Sequence, residues 1–118
     1  MGKINFMLSK NNQTIIKQEK QPAKIIQNEI SFELDATMNI IRYDSKILKF
    51  IRENKEFRME LTLMPVKNCI YTLKEKNYIV NITVENSKVD IQNKIIEFSY
   101  KLETTEEENK IKIEILEE

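Results

Sequence analysis

The chain has no histidine and no tryptophan, and it has only one glycine, one cysteine and two prolines among 118 residues. Without histidine there can be no Ser-His-Asp triad, no Cys-His dyad and no histidine general base, and the commonest metal ligand is missing. A single cysteine, Cys69, cannot build a thiolate zinc site or an internal disulfide. A single glycine, Gly2, excludes the glycine-rich loops that hold phosphates and dinucleotides. The sequence therefore predicts a protein that is not an enzyme and needs no metal or cofactor.

Long apolar runs and basic clusters are also missing. No stretch approaches the roughly 18 apolar residues of a membrane-spanning helix, and the first residues lack the apolar core of a signal peptide. The 19 basic and 19 acidic residues balance, and no basic run is interleaved with aromatic residues as in nucleic-acid-binding surfaces. A lone cysteine fits a reducing compartment. We therefore expect a cytoplasmic protein that binds neither nucleic acid nor membranes.

What the chain does contain is a strict alternation of apolar and polar residues in its second half. Five segments show it most clearly, at residues 57–63, 69–74, 78–85, 95–102 and 110–115. In the first of these, Phe57, Met59 and Leu61 share one face, and Arg58, Glu60 and Thr62 share the other. Side chains on a strand point alternately to its two faces, so each segment is expected to form a half-buried β-strand.

The first half repeats this pattern less regularly. It predicts a strand at 3–9, a turn at 10–12, a weaker strand at 14–19 and a polar break at 18–22 that contains Pro22. Strands at 23–26 and 29–34 flank a two-residue turn at Gln27-Asn28, and Asp35-Ala36 and Asp44-Ser45 bound the next strand, at 37–43.

Residues 44–56 allow two interpretations. Asp44 or Ser45 could cap a helix whose apolar stripe is formed by Ile47, Leu48 and Ile51. That stripe lasts barely two turns, and short isolated helices are only marginally stable. We therefore favour a strand, at residues 46–53.

Residues that oppose each other on paired strands share a face, so hairpin registers can be predicted. A turn at Asn54-Lys55 pairs Arg52 with Phe57, Phe50 with Met59, and Leu48 with Leu61. A loop at 74–77 pairs Leu73 with Tyr78, Tyr71 with Val80, and Cys69 with Ile82. A loop at 103–108 pairs Leu102 with Asn109, Tyr100 with Ile111, and Phe98 with Ile113. Residues 64–68 are expected to form a five-residue connection.

These strands predict an all-β domain spanning residues 1–118. Short antiparallel strands joined as a meander protect their edges by closing into a barrel or by stacking two sheets. We predict a calycin/lipocalin-like barrel of about 8–10 strands.

The order of features from residue 30 onward resembles that of the YwiB-like bacterial proteins. The residues that carry the resemblance are Ile30-Ser31-Phe32-Glu33-Leu34, the 37–43 strand, Arg52-Glu53-Asn54, residues 71–84, and residues 95–102 with Tyr100 near their end. The resemblance implies a small cytoplasmic calycin-type β-barrel, and it implies no catalytic residues because no activity is established for the family. The glycines that the family usually has at its turns are missing here, and so is the Gly-x-Trp signature of lipocalins.

Polar residues on the predicted inner face are the candidates for a ligand site. Arg52, with Phe57 beside it and Tyr71 and Tyr100 deeper in the barrel, could hold a ligand carboxylate through charge-assisted hydrogen bonds. Alternatively, Arg52 reaches water while its stem covers Phe57, and each tyrosine binds a nearby carbonyl. Cys69 is expected to be a small core residue.

Three functions remain open on this evidence. The first is non-enzymatic binding of a small amphipathic or hydrophobic ligand. The second is a protein–protein interaction module whose barrel is filled by side chains. The third is an enzyme that uses Arg52 and carboxylates, although the clearest acidic residues fall on outward faces (Glu60, Glu85, Glu97 and Glu114).

Overall fold

A computed structural model describes residues 2–44, 47–63, 66–90, 92–103 and 105–117. Within these residues all regular structure is β-strand. The ten strands are β1 (Gly2–Lys10), β2 (Gln13–Ile26), β3 (Glu29–Leu34), β4 (Thr37–Tyr43), β5 (Leu48–Glu53), β6 (Phe57–Leu63), β7 (Val66–Leu73), β8 (Tyr78–Asp90), β9 (Ile95–Leu102) and β10 (Glu108–Glu117).

The strands form one closed antiparallel barrel in which each strand pairs with its neighbours in sequence. The β1–β10 ladder closes the ring, from Lys3 opposite Glu117 to Lys10 opposite Asn109. In such a meander successive connections lie at alternate ends. We call the end with the β1–β2, β3–β4, β5–β6, β7–β8 and β9–β10 turns the upper end, and the opposite one the lower end. The all-β meander barrel predicted from the sequence is confirmed.

The core is formed by the inward-facing residue of every second position. Its largest fully buried side chains are Phe6, Phe50, Phe98, Ile4, Ile30, Ile41, Leu48, Met59, Leu61, Ile96, Ile111 and Ile113. Each such side chain contributes about 1.5–3 kcal/mol by leaving water.

Aromatic rings meet across the interior. Phe50 on β5 and Phe98 on β9 lie on well-separated strands of the ring, yet their ring centroids are 5.1 Å apart. Phe6 and Phe32 make a similar edge-on contact at 5.2 Å. The barrel is therefore filled by side chains at the level of Phe50 and Phe98.

Asparagine, aspartate and alanine take the turn positions where glycine is common. Asn11 and Asn12 adopt φ values of 49° and 65°, and Asp35 and Ala36 adopt 51° and 60°. Two consecutive left-handed residues form the tight hairpin turn whose twist matches that of the flanking strands. The predicted two-residue turn at Gln27-Asn28 is also present, because Ile26 pairs directly with Glu29.

The predicted break at 18–22 is wrong, since β2 continues through it as a single strand. The ladder with β1 shifts register there, and Lys20 has a φ of 54°. Pro22 pairs with Lys3 on β1, whereas the ladder with β3 begins only at Lys24. Proline is tolerated because only one side of β2 is paired at that point.

Two of the predicted registers are wrong by two residues. Phe50 pairs with Leu61 and Arg52 with Met59, because the β5–β6 turn is centred one residue later than predicted: Glu53 pairs with Arg58, and the amide of Asn54 donates to the carbonyl oxygen of Phe57 at 3.0 Å. The side-chain oxygen of Asn54 accepts hydrogen bonds from the amides of Glu56 (2.8 Å) and Phe57 (3.1 Å) and fixes the turn at this position.

The β9–β10 register differs in the same way: the actual opposed pairs are Tyr100–Asn109, Phe98–Ile111 and Ile96–Ile113. Leu102 lies beyond this ladder and pairs with Ile82 on β8 instead. A shift of two residues keeps every side chain on its predicted face.

The other hairpin predictions have mixed outcomes. The pairs Leu73–Tyr78 and Tyr71–Val80 are confirmed, but the β7–β8 ladder ends at Ile70–Asn81, so Cys69 and Ile82 are not paired. The predicted five-residue connection at 64–68 is wrong, because β7 already begins at Val66. Residues 64 and 65 lie outside the described part of the chain.

The ambiguous stretch 44–56 contains strand β5, as favoured. Asp44 begins the preceding turn, where its carboxylate accepts a hydrogen bond from the amide of Ile47 at 2.8 Å. Ser45 and Lys46, part of the predicted turn and strand, lie outside the described residues.

Candidate functional site

Arg52 occupies an inward-facing position near the upper end of β5. It lies two residues beyond Phe50 and pairs laterally with Asn39 on β4 and Met59 on β6. The side chain is partly exposed, but its Nε atom is buried, and no described residue accepts a hydrogen bond from it. A buried donor left in this state costs about 1–3 kcal/mol, and more when it carries charge.

Two aromatic rings adjoin the guanidinium group. The Cζ atom of Arg52 lies 5.7 Å from the centroid of the Phe57 ring, which places the cation over an aromatic face. Phe57 in turn stacks on Tyr71, with centroids 5.1 Å apart and an interplanar angle of 12°. The three side chains form a continuous stack on β5, β6 and β7.

Tyr100 completes the polar part of the site from β9. It lies two residues beyond Phe98, with the two rings 6.4 Å apart, and only 5% of its surface is exposed. Burial raises the pKa of Tyr100 to about 12, partly opposed by the positive charge of Arg52. Burial also raises the pKa of Tyr71, and Arg52 again acts in the opposite direction. The guanidinium is thus close enough to both tyrosines to affect them.

No ion pair neutralises this cation within the described residues. Arg42 and Arg58, by contrast, each contact a glutamate on the outer surface. A partly buried charge without a counter-ion is unfavourable unless something else supplies negative charge. The electrostatic requirement of the site is therefore for an anion.

Asn39 is a site residue that the sequence reasoning missed. It is 1% exposed, and its Nδ2 atom donates to the carbonyl oxygen of Thr37 at 3.2 Å, while its Oδ1 atom has no partner among the described residues. Asn39 lies at every second position with Ile41 and Tyr43, and this spacing was the signal that could have placed it on the inner face.

We call the region at the upper end of the barrel that contains Arg52, Phe57, Tyr71 and Tyr100 the cup. Phe50 and Phe98 form its floor, directly below Arg52 and Tyr100. Its rim on the β7–β8 side is the registered pair Leu73 and Tyr78, which we call the lip. The alternation predicted an inward position for Tyr78 beside Val80. It is instead 53% exposed, because this last pair of the ladder projects beyond the packed interior.

The structure thus brings all four predicted site residues to one end of the barrel. Arg52, Phe57 and Tyr71 form the stack described above, and Tyr100 lies near them on the opposite side of the interior. Cys69 lies in the core with its Sγ atom 3.5 Å from the carbonyl oxygen of Thr62, so the predicted core role is confirmed.

Acidic residues lie on the outer surface, as predicted. Glu60 contacts Lys49 at 3.1 Å and Arg58 at 3.2 Å, and Glu97 contacts Lys110 at 2.7 Å. Among the described residues no group of three or more acidic or cysteine side chains could hold a metal ion.

Comparison of the chain with protein-family models, with curated proteins and with solved structures finds no match. The resemblance to the YwiB-like proteins therefore stays a prediction. In the part of the chain that the structure describes, no helix could cross a lipid bilayer.

Proposed function

We propose that this protein binds a small amphipathic carboxylate, without transforming it, in the cup at the upper end of the barrel. The observation that carries the proposal is the buried Nε atom of Arg52, which is unpartnered among the described residues beside an aromatic wall. A carboxylate would accept a charge-assisted hydrogen bond from this group and supply the missing counter-charge. The phenyl ring of Phe57 and the lip offer apolar surface to the rest of the ligand.

Binding without chemistry agrees with the side chains present. General acid–base catalysis works best when the catalytic group has a pKa near the working pH. Burial moves the pKa values of Tyr71 and Tyr100 away from neutrality. Both hydroxyls therefore serve as hydrogen-bond donors to an anion. A cytoplasmic location, independence of cofactors and membership of the YwiB-like family belong to the same proposal, and the closed barrel supports the last of these.

Isothermal titration with octanoate tests the proposal, by comparing the wild type with Arg52→Met. Methionine keeps most of the apolar stem and removes the charge. The loss of a hydrogen bond to a charged group, about 1.5–3 kcal/mol, predicts binding roughly 10-fold to 150-fold weaker. Tight binding that survives the substitution would remove Arg52 from the site.

Arg42→Met is the matched control. Arg42 is exposed, faces outward from β4, and contacts Glu29 at 3.0 Å. Its replacement removes the same charge from the molecule and should leave octanoate binding within about twofold, since exposed ion pairs contribute little. An equal loss in both variants would show a general effect of net charge.

A second function, a protein–protein interaction module, is favoured by one observation. The β7–β8 hairpin exposes the apolar side chains of Leu73, Tyr78 and Ile79 (37%, 53% and 58%) above a filled interior. This function becomes the better proposal if neither octanoate nor other small carboxylates bind to the wild type.

A further inference from the structure

We infer that the ligand enters the cup with its acid group first, so that its carboxylate lies at Arg52 and its apolar end lies on the lip formed by Leu73 and Tyr78. The inference rests on the proposed function and adds an orientation and a limit on chain length. It requires three features: a closed floor below Arg52, a group below the rim that attracts the ligand carboxylate, and apolar surface at the rim.

The floor is closed by large side chains. Phe50 and Phe98 are 0% and 1% exposed, and their rings touch across the interior with centroids 5.1 Å apart. Beside Phe50 in the same row, Leu61 on β6 is also fully buried. Interiors packed in this way have no room for an additional chain without displacing side chains. An apolar tail therefore cannot extend downward from Arg52.

The polar group that requires an anion lies below the lip, one row nearer the floor. The Nε atom of Arg52 is buried and has no acceptor among the described residues, whereas the Phe57 ring covers the outer side of the guanidinium. A carboxylate placed there leaves water but gains a fully charged partner. A carboxylate at the rim would instead leave the partly buried cation unpaired.

The rim offers apolar surface one step above this point. Phe57, Leu73 and Tyr78 are laterally paired in one row, two residues nearer the upper end than the row that contains Arg52 and Tyr71. Two residues along a strand span about 7 Å, which matches a tail of about six carbons. Methylene groups beyond the lip would extend into water.

A series of straight-chain acids from butyrate to dodecanoate tests the length limit by isothermal titration. Each methylene should strengthen binding by up to about fourfold as far as a chain of about eight carbons, and further methylenes should add little. Affinity that keeps rising through dodecanoate would overturn the inference, since the tail would then be buried in the interior.

Variants at the lip test the position of the tail. Leu73→Ala and Tyr78→Ala should weaken octanoate binding about fivefold each and leave butyrate binding unchanged, because butyrate is too short to reach the lip. Ile79→Ala is the matched control, since Ile79 lies on the same hairpin but faces outward opposite Thr72. Equal effects of all three variants on octanoate would contradict the inference.

A nitroxide-labelled fatty acid tests the orientation directly. With the label at the methyl end of the chain, amide signals of the β7–β8 turn at residues 74–77 should broaden in NMR spectra of the wild type. Broadening at Leu61 or at the Gln27-Asn28 turn of the lower end would reverse the orientation. In that case a measurable affinity for the acid would still support the proposed function, whereas no binding of any acid would remove both.

Discussion

Single residues on the inner face of the barrel fall into two groups. The apolar group packs in the middle and lower parts, where Ile4, Leu48 and Leu61 are completely buried. The polar group, which includes Asn39, Arg52 and Tyr100, lies towards the upper end. Because polar atoms lose hydration when buried, they are tolerated near an opening, where water or a ligand can reach them. The position of a residue along its strand thus decides whether it stabilises the fold or forms the site.

Leu61 and Thr62 give the simplest test of the two faces, because they are neighbours on β6 with opposite orientations. Leu61→Ala should lower the free energy of unfolding by about 2–5 kcal/mol, since it leaves a cavity in a fully buried place. Thr62→Ala should change it by no more than about 0.5 kcal/mol, because that side chain faces outward. Urea titrations of both variants measure the difference, and similar losses would contradict the assignment of faces.

Sequence alone predicted which residues face the interior but not how high they lie along the barrel axis. Alternation placed Tyr78 and Val80 on the same face, yet Tyr78 is 53% exposed and Val80 is 6% exposed. Period-two patterning carries no information about height along the barrel axis, which depends on the stagger of neighbouring strands. For the same reason Arg52 could be placed on the inner face, while its relation to Asn39 required the β4–β5 register.

Among the elements, the β5–β6 hairpin carries the densest set of polar interactions. On its outer face, Glu53 contacts Arg58 and Lys74, and Glu60 contacts Lys49 and Arg58, at distances between 2.8 and 3.2 Å. These contacts link β5, β6 and the start of the β7–β8 turn. Networks of this kind hold side chains in place more effectively than isolated surface pairs.

The same network makes stability depend on pH. The hydrogen bond from Lys74 lowers the pKa of Glu53 below its usual value of 4.5, and the hydrogen bond from Lys49 lowers that of Glu60. A lowered pKa in the folded state stabilises the fold above the unfolded-state pKa, and this contribution is lost as the pH falls through the folded-state value. The wild type should therefore lose stability as the pH falls below about 4.5.

The double variant Glu53→Gln, Glu60→Gln should lose less stability over that pH range, because it has no carboxylates to protonate in the network. Melting temperatures at pH 7 and pH 3 measure this difference. A control variant, Glu33→Gln, changes an exposed glutamate on β3 outside the network and should keep the pH dependence of the wild type. The prediction fails if the double variant and the wild type lose the same number of degrees.

The element-scale errors in the sequence predictions have a common cause. The β5–β6 and β9–β10 registers were predicted from the rule that opposed residues share a face. A shift of two residues leaves every side chain on the same face, so this rule cannot detect it. The position of the turn decides between such registers, and here it is fixed by hydrogen bonds of individual side chains. Asn54 binds two amides of its own turn, and the side-chain oxygen of Asn11 accepts a hydrogen bond from the amide of Glu108, on a turn distant in sequence. Contacts of the second kind cannot be read from local patterns.

At the scale of the whole molecule, the closing ladder joins the two most distant parts of the chain. Gly2 is buried beside β10, and a Cβ atom there would collide with the carbonyl oxygen of Glu117. The one glycine therefore lies where the closing strands approach too closely for a Cβ atom. Sequence patterning predicted that the strands would need closure to protect their edges, but not that β1 would complete the ring with β10, because that pairing spans the whole chain.

Closure leads to a prediction about circular permutation of residues 2–117. Lys3 and Glu117 are laterally paired, so a linker of about five Gly and Ser residues can join the two ends without strain. New ends placed between Glu75 and Lys76 lie in an exposed turn whose internal contact is the 3.3 Å bond from the amide of Asn77 to the carbonyl of Lys74. This permutant should fold and melt within a few degrees of the wild type, because exposed turns tolerate cleavage.

A second permutant, opened between Lys55 and Glu56, provides the contrast. Asn54 organises that turn, and its Nδ2 atom also donates to the Thr37 hydroxyl at 3.2 Å, so the cut separates groups that hold β4, β5 and β6 together. This permutant should be less stable by about 1 kcal/mol or more, the scale of one or two lost hydrogen bonds. It should also bind octanoate more weakly, since Arg52 and Phe57 flank the cut. If both permutants melt together and bind alike, the β5–β6 turn does not organise the cup. If neither permutant folds, joining the paired ends of β1 and β10 by a short linker is not sufficient for the barrel to form.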